Sequence, residues 1–344
     1  MSVRVPIWLT KVAGEFSRRG FRFFLVGGAV RDQLREQKVD EWDVATDAVP
    51  EEVLTILRHL HAKNIGVVGA RFGTITATFE GELLEITTFR GEQYLEDSRK
   101  PVTSFSATID EDLSRRDFTI NAIAFDVKKR ELIDPFNGQG DLRNRSIRAV
   151  GRPTSRVHED TLRMLRTIRF AVRLSFVIEA ETVQGIKDER DRVGLLSPER
   201  VAQELDKMLM AEKPSQAITL MVETGLINYV FPELLPSIDL EFEPGSHKDI
   251  YSHILQVLDQ TPPKRELRWC ALLHDIAKPQ TRRKVNGEYH FLGHEVVGAK
   301  VARTVLRRLK YPNEFVDYVS KLVYLHQRIP NDDGSWTDGA VRRF

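Results

Sequence analysis

The sequence predicts an α+β protein, with a mixed sheet and helices in the first 150 residues and an all-helical remainder. Short β-rich runs alternate with helical stretches up to about residue 150, the clearest runs being residues 23–26, 73–79 and 83–89. Beyond that point apolar residues recur at helical spacing, with hardly any β-branched alternation. A segment with two prolines, a glycine and mixed charge, residues 236–247, predicts a second boundary near residue 240.

The composition is that of a globular chain. It has 344 residues, 41% hydrophobic and 29% charged, which is enough to bury a large core. No apolar run approaches the roughly 20 residues that a membrane span needs, and the N-terminus lacks a signal-peptide pattern, so we expect a cytoplasmic protein with no membrane partner. The single cysteine, Cys270, excludes intrachain disulfides and a zinc site made of several thiolates. A net charge of +1 gives no argument for nucleic-acid binding.

The first candidate site follows the first strand. Gly27 and Gly28 come directly after FFLV and precede AVRD at the start of a helix, where backbone amides and the helix dipole favour an anion such as a triphosphate. Arg31 and Asp32 lie in the first helical turn, and Arg31 adds a positive charge. The same glycine pair also suits an ordinary tight turn, and this pattern alone does not separate the two.

A pair of carboxylates follows in DEWDVAT. Glu41 and Asp43 are two residues apart, so in a strand both side chains point to one face. Clustered oxygens suit Mg²⁺, and two such ions about 4 Å apart can activate an attacking hydroxyl and neutralise a leaving pyrophosphate. Acidic pairs at this spacing are also common on exposed strands.

Four further motifs follow in compact order, RRDFTINA (115–122), LIDPFNGQGDL (132–142), EDTLRMLRTIRF (159–170) and SPERVAQEL (197–205). GGAVRD followed by a carboxylate-x-Asp pair resembles the nucleotidyltransferase superfamily that shares its palm with DNA polymerase beta. With the four motifs, essentially the whole chain resembles class II tRNA nucleotidyltransferases and bacterial poly(A) polymerases. The resemblance implies a nucleotidyltransferase palm at residues 1–150 and a helical neck and body at 151–240 that carries a nucleotide-template helix and binds RNA.

The resemblance implies an enzyme that adds CMP, CMP and AMP from CTP and ATP to the 3′ end of tRNA without a nucleic-acid template, releasing pyrophosphate with the help of Mg²⁺. Asp160 and Arg163 are implied to be the protein template. A carboxylate that accepts and a guanidinium that donates suit the amino group and ring nitrogen that cytosine and adenine share. We expect a helix from Glu159 that places Asp160, Arg163 and Thr167 on one face.

The resemblance assigns supporting roles to other residues of these motifs. Arg166 and Arg169 are implied to contact the nucleotide or support the template, and Arg169 also suits a structural role. A ribose hydroxyl and phosphates are the implied ligands of Arg116, Asp117 and Asn121.

The metal position departs from the family pattern, because Glu41 stands where the first Asp is expected. Glutamate can ligate magnesium, but its extra methylene shifts the oxygens by about 1.5 Å. Asp40 is the alternative ligand, although its side chain points to the other strand face unless a bulge intervenes. Glu85, in LLEITTF, is a candidate third carboxylate.

The last hundred residues contain YSHIL, ALLHDIAKP, FLGHEVVGA and YLHQR. This series resembles the HD phosphohydrolase domain, here at residues 241–344, and implies a divalent metal held by His253, His274, Asp275 and His294, with His326 following in the same series. Any single histidine on a helix is more often packed or exposed, but the ordered series favours a metal site. Such domains are associated with metal-dependent phosphatase and cyclic phosphodiesterase activity on nucleotides. The chain ends inside an incipient helix, TDGAVRRF, so we expect the domain to be incomplete.

Motif spacing leaves several alternatives open. Within the family, the chain can be a poly(A) polymerase or a partial enzyme that adds only CC or only A. From a different class, it can be a catalytically impaired RNA-binding protein that kept the fold and lost the chemistry at Glu41. In a third alternative the HD domain is the principal enzyme and the N-terminal part only positions RNA.

Overall fold

The computed structural model describes residues 3–89, 108–241 and 249–327, together with the backbone of 91–93 and 102–104. The chain divides into two compact units, residues 1–156 and 157–344. The α+β prediction is confirmed, because the first unit contains a mixed sheet and the second is mainly helical. The proposed boundary at residue 240 stays a prediction, and the expected incomplete C-terminus lies outside the described residues. None of the described helices has the length and hydropathy to cross a membrane.

The strands described in the first unit are β1 (Phe23–Val26), β2 (Glu41–Thr46), β3 (Lys63–Gly66), β4 (Thr74–Phe79), β5 (Glu82–Thr88), β6 (Gly91–Gln93), β7 (Val102–Ser104), β8 (Ala124–Asp126), β9 (Glu131–Ile133) and β10 (Ser146–Ile147). Its helices are α1 (Ile7–Arg18), α2 (Gly27–Leu34), α3 (Pro50–His59), α4 (Ile109–Ser114) and α5 (Gly138–Arg143), with 3₁₀ turns at Ala70–Phe72 and Thr119–Asn121. A further helix, α6 (Pro153–Glu159), contains the boundary between the units.

Seven of these strands form one sheet in the order β3-β4-β5-β2-β1-β8-β9. The pairing of β2 with β5 is parallel, whereas β1 is antiparallel to both of its neighbours. The register places Asp43 directly opposite Glu85. Buried apolar side chains beside these positions, Val44, Leu84 and Ile86, anchor both strands in the core and so fix that register.

The second unit contains α7 (Arg163–Leu174), α8 (Ala180–Glu189), α9 (Pro198–Leu209), α10 (Ser215–Thr224), α11 (Ile227–Val230), α12 (Ile250–Gln260), α13 (Arg265–Leu273), α14 (Lys278–Thr281), α15 (His294–Arg308) and α16 (Asn313–Leu325). Its short strands are β11 (Val177–Ile178), β12 (Arg283–Val285) and β13 (Glu288–His290), and its 3₁₀ turns are Arg190–Leu195 and Pro232–Ser237.

One hydrophobic cluster runs through the second unit and joins residues on both sides of the predicted boundary at 240, from Val157 to Val323. Asp206 of α9 accepts hydrogen bonds on Oδ1 from Trp269 Nε1 at 2.8 Å and from the Tyr311 hydroxyl at 2.6 Å. The guanidinium of Arg268 donates to the carbonyls of Leu209 and Ala211, both at 2.7 Å. The helices before and after residue 240 therefore fold around the same interior.

The prediction of one helix that starts at Glu159 is wrong in one respect. Helix α6 ends at Glu159 and α7 begins at Arg163, so Asp160 lies in the turn between them and not on a common helical face with Arg163 and Thr167. Its Oδ1 accepts the N–H of Leu162 at 3.2 Å, a local bond that competes with the helical pattern. Asp160 is therefore positioned by a turn.

We predict that Gly138→Ala destabilises the first unit by about 1–3 kcal/mol, because a Cβ at Gly138 would overlap the Thr119 carbonyl oxygen and approach Ile123 Cγ1 to 2.8 Å. The matched control is Gly14→Ala in α1, where no atom lies within 4 Å of the new methyl group. That exchange should stabilise by about 0.5–1 kcal/mol through helix propensity. Urea denaturation of both variants measures the difference, and equal effects would contradict the packing described here.

Candidate functional site

The first candidate site begins where β1 turns into α2. Gly27 has a φ of +63°, in the left-handed region that favours glycine. A Cβ there would lie 3.0 Å from Arg116 Nη1 and 3.3 Å from Asp43 Oδ2, and the backbone of Gly28 donates a hydrogen bond to Asp43. The glycine pair therefore allows the chain to pass close to a carboxylate and a guanidinium that come from distant parts of the sequence.

Three carboxylates lie on adjacent positions of this sheet. Asp43 faces Glu85 across the β2–β5 pair, and Glu41 precedes Asp43 by two residues on the same strand. Burial, together with the negative charges of Glu85 and then Glu41, raises the pKa of Asp43 to about 6, although Arg116 acts in the opposite direction. The oxygens of the three groups do not all lie within 4.8 Å of one another. Asp40 lies in the exposed bend before β2.

This excess of negative charge is the observation that fits a divalent cation. Because burial, Glu85 and Glu41 all act to raise the pKa of Asp43, a cation between these carboxylates would stabilise the ionised form of Asp43. Asp43 and Glu85 are placed to hold such an ion, and Glu41, exposed at the start of β2, can reach it by choice of rotamer.

Two of these carboxylates, Asp43 and Glu85, border a cavity of about 330 Å³, which is lined by Val26, Asp43, Val44, Thr74, Glu85, Thr87, Asp112, Arg115 and Arg116. Asp112 orients both arginines, at 3.4 Å from Arg115 Nε and 3.1 Å from Arg116 Nη2. A cavity lined by both carboxylates and two guanidinium groups suits a phosphate ligand bound together with cations. Asp112 is not among the site residues predicted from the sequence, and its only signal is its spacing of four residues from Arg116.

Four of the predicted nucleotide-binding residues form a connected network beneath the glycine turn. Arg31 is buried and donates Nε and Nη2 to the two oxygens of Asp32 at 2.8 and 2.7 Å. Its Nη1 donates to Asn121 Oδ1 at 2.8 Å, and Asn121 Nδ2 donates to Asp117 Oδ1 at 2.9 Å. This arrangement fixes the second half of α2 against the RRDFTINA segment. The prediction that Arg31 and Asp32 lie in the first helical turn is wrong, because the helix already begins at Gly27. Direct contact of these residues with a nucleotide stays a prediction.

The predicted base-reading residues belong to the second unit, and each has an ionic partner. Arg163 Nη1 lies 2.7 Å from Glu159 Oε2, and Asp160 Oδ1 lies 3.2 Å from Arg200 Nη2. Arg169 is buried and pairs with Glu204 at 3.1 Å, which supports its structural role. Arg166 places its guanidinium 5.7 Å from the centre of the Phe170 ring. Arg200 is not among the site residues predicted from the sequence.

A second candidate site is a metal-ligand cluster in the second unit. Asp275 Oδ2 lies 3.1 Å from His274 Nε2 and 3.4 Å from His253 Nε2, while its Oδ1 lies 3.3 Å from His294 Nε2 and 3.8 Å from His326 Nε2. The structure thus brings together all four predicted ligands and His326. Although burial acts to raise the pKa of Asp275, His274, His294 and Lys278 lower it well below its usual range.

The backbone fixes the tautomers of three of these histidines. Nδ1 of His274, His294 and His326 donates to the carbonyl three residues earlier, at 2.8, 2.7 and 2.6 Å. A neutral imidazole with a proton on Nδ1 presents a lone pair at Nε2. The Nε2 atoms of His294 and His326 face each other at 3.3 Å, so two lone pairs point at one place. Burial lowers the pKa of His326, which favours its neutral form as a ligand. This donor set fits a divalent transition metal.

We predict that the metal-free first unit loses stability as the pH rises from about 4 to 6. Folded Asp43, with its raised pKa, binds a proton more tightly than unfolded Asp43, so deprotonation in this window disfavours folding by at most about 3 kcal/mol. Asp43→Asn should remove this component, and the exposed Asp40→Asn should keep it. Urea denaturation in EDTA across this pH range is the measurement. Parallel curves for wild type and Asp43→Asn would refute the raised pKa.

For the second site, we predict that Asp275→Asn weakens Mn²⁺ binding by roughly 10–100-fold, because the substitution removes the only carboxylate among the described ligands of this cluster. Equilibrium dialysis against Mn²⁺, with the bound ions counted, compares the full-length variant with wild type. The exposed His61→Ala serves as the control. Equal stoichiometry and affinity in wild type and Asp275→Asn would exclude a metal site here.

Comparison with known proteins finds three matching domain families along the chain. Residues 23–148 match the Poly A polymerase head domain, residues 175–238 the probable RNA and SrmB-binding site of polymerase A, and residues 240–338 the HD domain. In structure, the chain resembles the Bacillus stearothermophilus CCA-adding enzyme in complex with CTP, with a TM-score of 0.74 and 31% identity over 96% of this chain and 72% of that one.

Curated relatives give the same result. The chain is 42% identical to the CCA-adding enzyme of Lactobacillus helveticus, over 70% of this chain and 60% of the relative, and it covers 53% of the Lactobacillus johnsonii enzyme. It therefore spans just over half the length of these relatives. It is also 33% identical to the CCA-adding enzyme of Geobacillus thermodenitrificans, over 94% of this chain and 71% of the relative. On the sequence motifs, the fold and these similarities together, the chain belongs to the family of CCA-adding nucleotidyltransferases, which share their head domain with poly(A) polymerases.

Proposed function

We propose that the chain adds CMP, CMP and AMP to the 3′ end of tRNA, using CTP and ATP as substrates and no nucleic-acid template. The observation that carries this proposal is the placement of Asp43 opposite Glu85 on parallel strands, next to the Gly27–Gly28 turn and Arg116. Because tRNA is the proposed substrate, we place the enzyme in the cytoplasm. We keep residues 1–150, 151–240 and 241–344 as the proposed palm, neck and body, and HD domain.

In the first unit, we assign metal binding to Asp43, Glu41 and Glu85, with Mg²⁺ as the proposed ion. Bound there, Mg²⁺ would activate the attacking hydroxyl and neutralise charge on the leaving pyrophosphate. The amide of Gly27, with Arg115 and Arg116, supplies donors for the triphosphate, whereas the amide of Gly28 donates to Asp43 and positions that carboxylate. The tRNA 3′-hydroxyl displaces pyrophosphate from the α-phosphate in line, so the protein forms no covalent intermediate.

In the second unit, we assign base selection to Asp160 and Arg163. The carboxylate accepts from the exocyclic amino group of cytosine or adenine, and the guanidinium donates to the neighbouring ring nitrogen. Guanine and uracil present a carbonyl oxygen and a ring N–H at the same positions. They place acceptor against acceptor and donor against donor, so both are rejected.

The position of Glu41 bears on the alternative of a silent RNA-binding protein. Glu41 is the first residue of β2 and is exposed, so its longer side chain is not constrained by the core. It can therefore adopt a rotamer that compensates for the extra methylene group. A poly(A) polymerase or a partial enzyme uses the same carboxylates, and only the product distinguishes these from full CCA addition.

We propose metal-dependent hydrolysis of a phosphate ester as a second function, located at the histidine cluster. The cluster of His253, His274, Asp275, His294 and His326 favours it, and an apolar cavity of about 580 Å³ is lined in part by His274 and His326. Lys278 Nζ lies 2.7 Å from Asp275 Oδ2 and adds a positive charge for a phosphate. This function is independent of nucleotide addition.

We predict that the protein with Mg²⁺ extends a tRNA transcript lacking CCA by two C residues and one A, and then stops. Transcripts ending before CCA, at CC and at CCA, each given labelled nucleoside triphosphates separately and CTP with ATP together, separate the alternatives by product length. C alone or A alone identifies a partial enzyme, and long A tracts identify a poly(A) polymerase. No incorporation with intact tRNA binding supports the silent protein.

Three variants complete this experiment. Asp43→Asn should lower incorporation by at least about 10³-fold, because it removes a proposed metal ligand. Glu41→Asp should change the rate by less than about tenfold if Glu41 is a working ligand, whereas a large gain would indicate impaired chemistry in the wild type. Asp275→Asn should leave nucleotide incorporation unchanged. Loss of incorporation in this variant would favour the histidine cluster as the principal active site.

A further inference from the structure

The carboxylate of Asp160 is restrained from two directions. Its Oδ1 accepts the backbone N–H of Leu162 at 3.2 Å, within the turn between α6 and α7. Arg200 Nη2 donates to both carboxylate oxygens, at 3.2 Å to Oδ1 and 3.5 Å to Oδ2, across 40 residues of sequence. The two contacts together fix the rotation of the carboxylate, which the turn alone leaves free about the terminal torsion.

The position of Arg200 is itself fixed by the packing of α9 on α7. Helix α9 begins at Pro198 after Ser197, whose side chain accepts the N–H of Arg200. One helical turn further, Glu204 lies on the same face and pairs with Arg169 of α7 at 3.1 Å, with side chains 4% and 9% exposed. This buried pair sets the orientation of α9 and so directs Arg200 towards Asp160.

The Asp160–Arg200 pair contributes little to stability. The two side chains are 39% and 48% exposed, and ion pairs at such positions contribute about 0–1 kcal/mol. The main effect of this ion pair is therefore on the orientation of the Asp160 carboxylate and not on the free energy of unfolding. Positional control of a recognition group is worth far more in selectivity than the same contact is worth in folding.

We propose that Arg200 is a specificity-determining positioning residue, which orients the Asp160 carboxylate towards the exocyclic amino group of cytosine or adenine. The proposal rests on the proposed role of Asp160 in base selection. A carboxylate held in this orientation also repels the carbonyl oxygen that uracil presents in place of the amino group. Without Arg200 the carboxylate rotates away from that oxygen, and uracil is tolerated.

The test is the equilibrium binding of CTP and UTP to the full-length protein, by titration calorimetry, for wild type, Arg200→Ala and Arg200→Lys. The triphosphate and ribose are common to both ligands, so the ratio of their dissociation constants isolates recognition of the base. We expect wild type to prefer CTP and Arg200→Ala to lower that preference by roughly tenfold. Lysine should restore part of it, because the contact uses a single nitrogen of Arg200.

The charge-matched control is Arg173→Ala, which removes an exposed arginine of α7 and should leave the CTP preference unchanged. Equal losses of CTP and UTP affinity in Arg200→Ala would show a general effect on folding or charge and overturn the proposal. So would an unchanged ratio, or a wild type that does not distinguish the two nucleotides. A wild type that prefers CTP but transfers no nucleotide refutes the proposed function alone, because the ratio still measures the effect of Arg200.

Discussion

The parallel pairing of β2 with β5 is the constraint on which the first site depends. It places Asp43 opposite Glu85, although like charges on neighbouring strands weaken a sheet. The buried neighbours Val44, Leu84 and Ile86 hold the strands in this register, because a slip by one residue would turn them towards solvent. The packing of the sheet core thus holds the carboxylates close together although they repel one another. It does so before any cation binds.

Local sequence patterns were sufficient for much of the fold and for part of the site. The strands around Phe24 and Ile75, the glycine turn and the Glu41/Asp43 pair all follow from short-range rules, because their geometry depends on adjacent residues. Short-range rules do not predict the residues that the tertiary fold brings next to these sites. Glu85 was only a candidate, and Arg200 carries no local signal of Asp160, which lies 40 residues away in the chain. Asp112 offers one local signal, its spacing of four residues from Arg116, and that spacing is common on exposed helices.

The turn at Asp160 shows why a pattern can mislead. The apolar spacing from Glu159 to Phe170 is helical, yet the Asp160 side chain bonds to the Leu162 amide and separates two helices. The periodicity of apolar residues shows which side chains face the core. It does not reveal a short break in a helix when the residues after the break still face the core. The histidine cluster presents the opposite case. His274 and His326 lie at the C-termini of α13 and α16, where backbone carbonyls lack helical partners and can accept the Nδ1–H of the histidine. The end of each helix therefore orients the imidazole ring.

The interior shared across residue 240 has an evolutionary consequence. The segment after residue 250 contributes Trp269, Leu272 and Val316 to the cluster that also buries Met221 and Phe231. Substitution of the histidines would leave these buried apolar contacts intact. Deletion of the segment would instead expose the apolar residues of the preceding helices to water. Selection that acts only on the N-terminal chemistry therefore preserves the HD fold as a structural partner. The presence of the HD fold in such a chain therefore does not measure whether the domain catalyses a reaction.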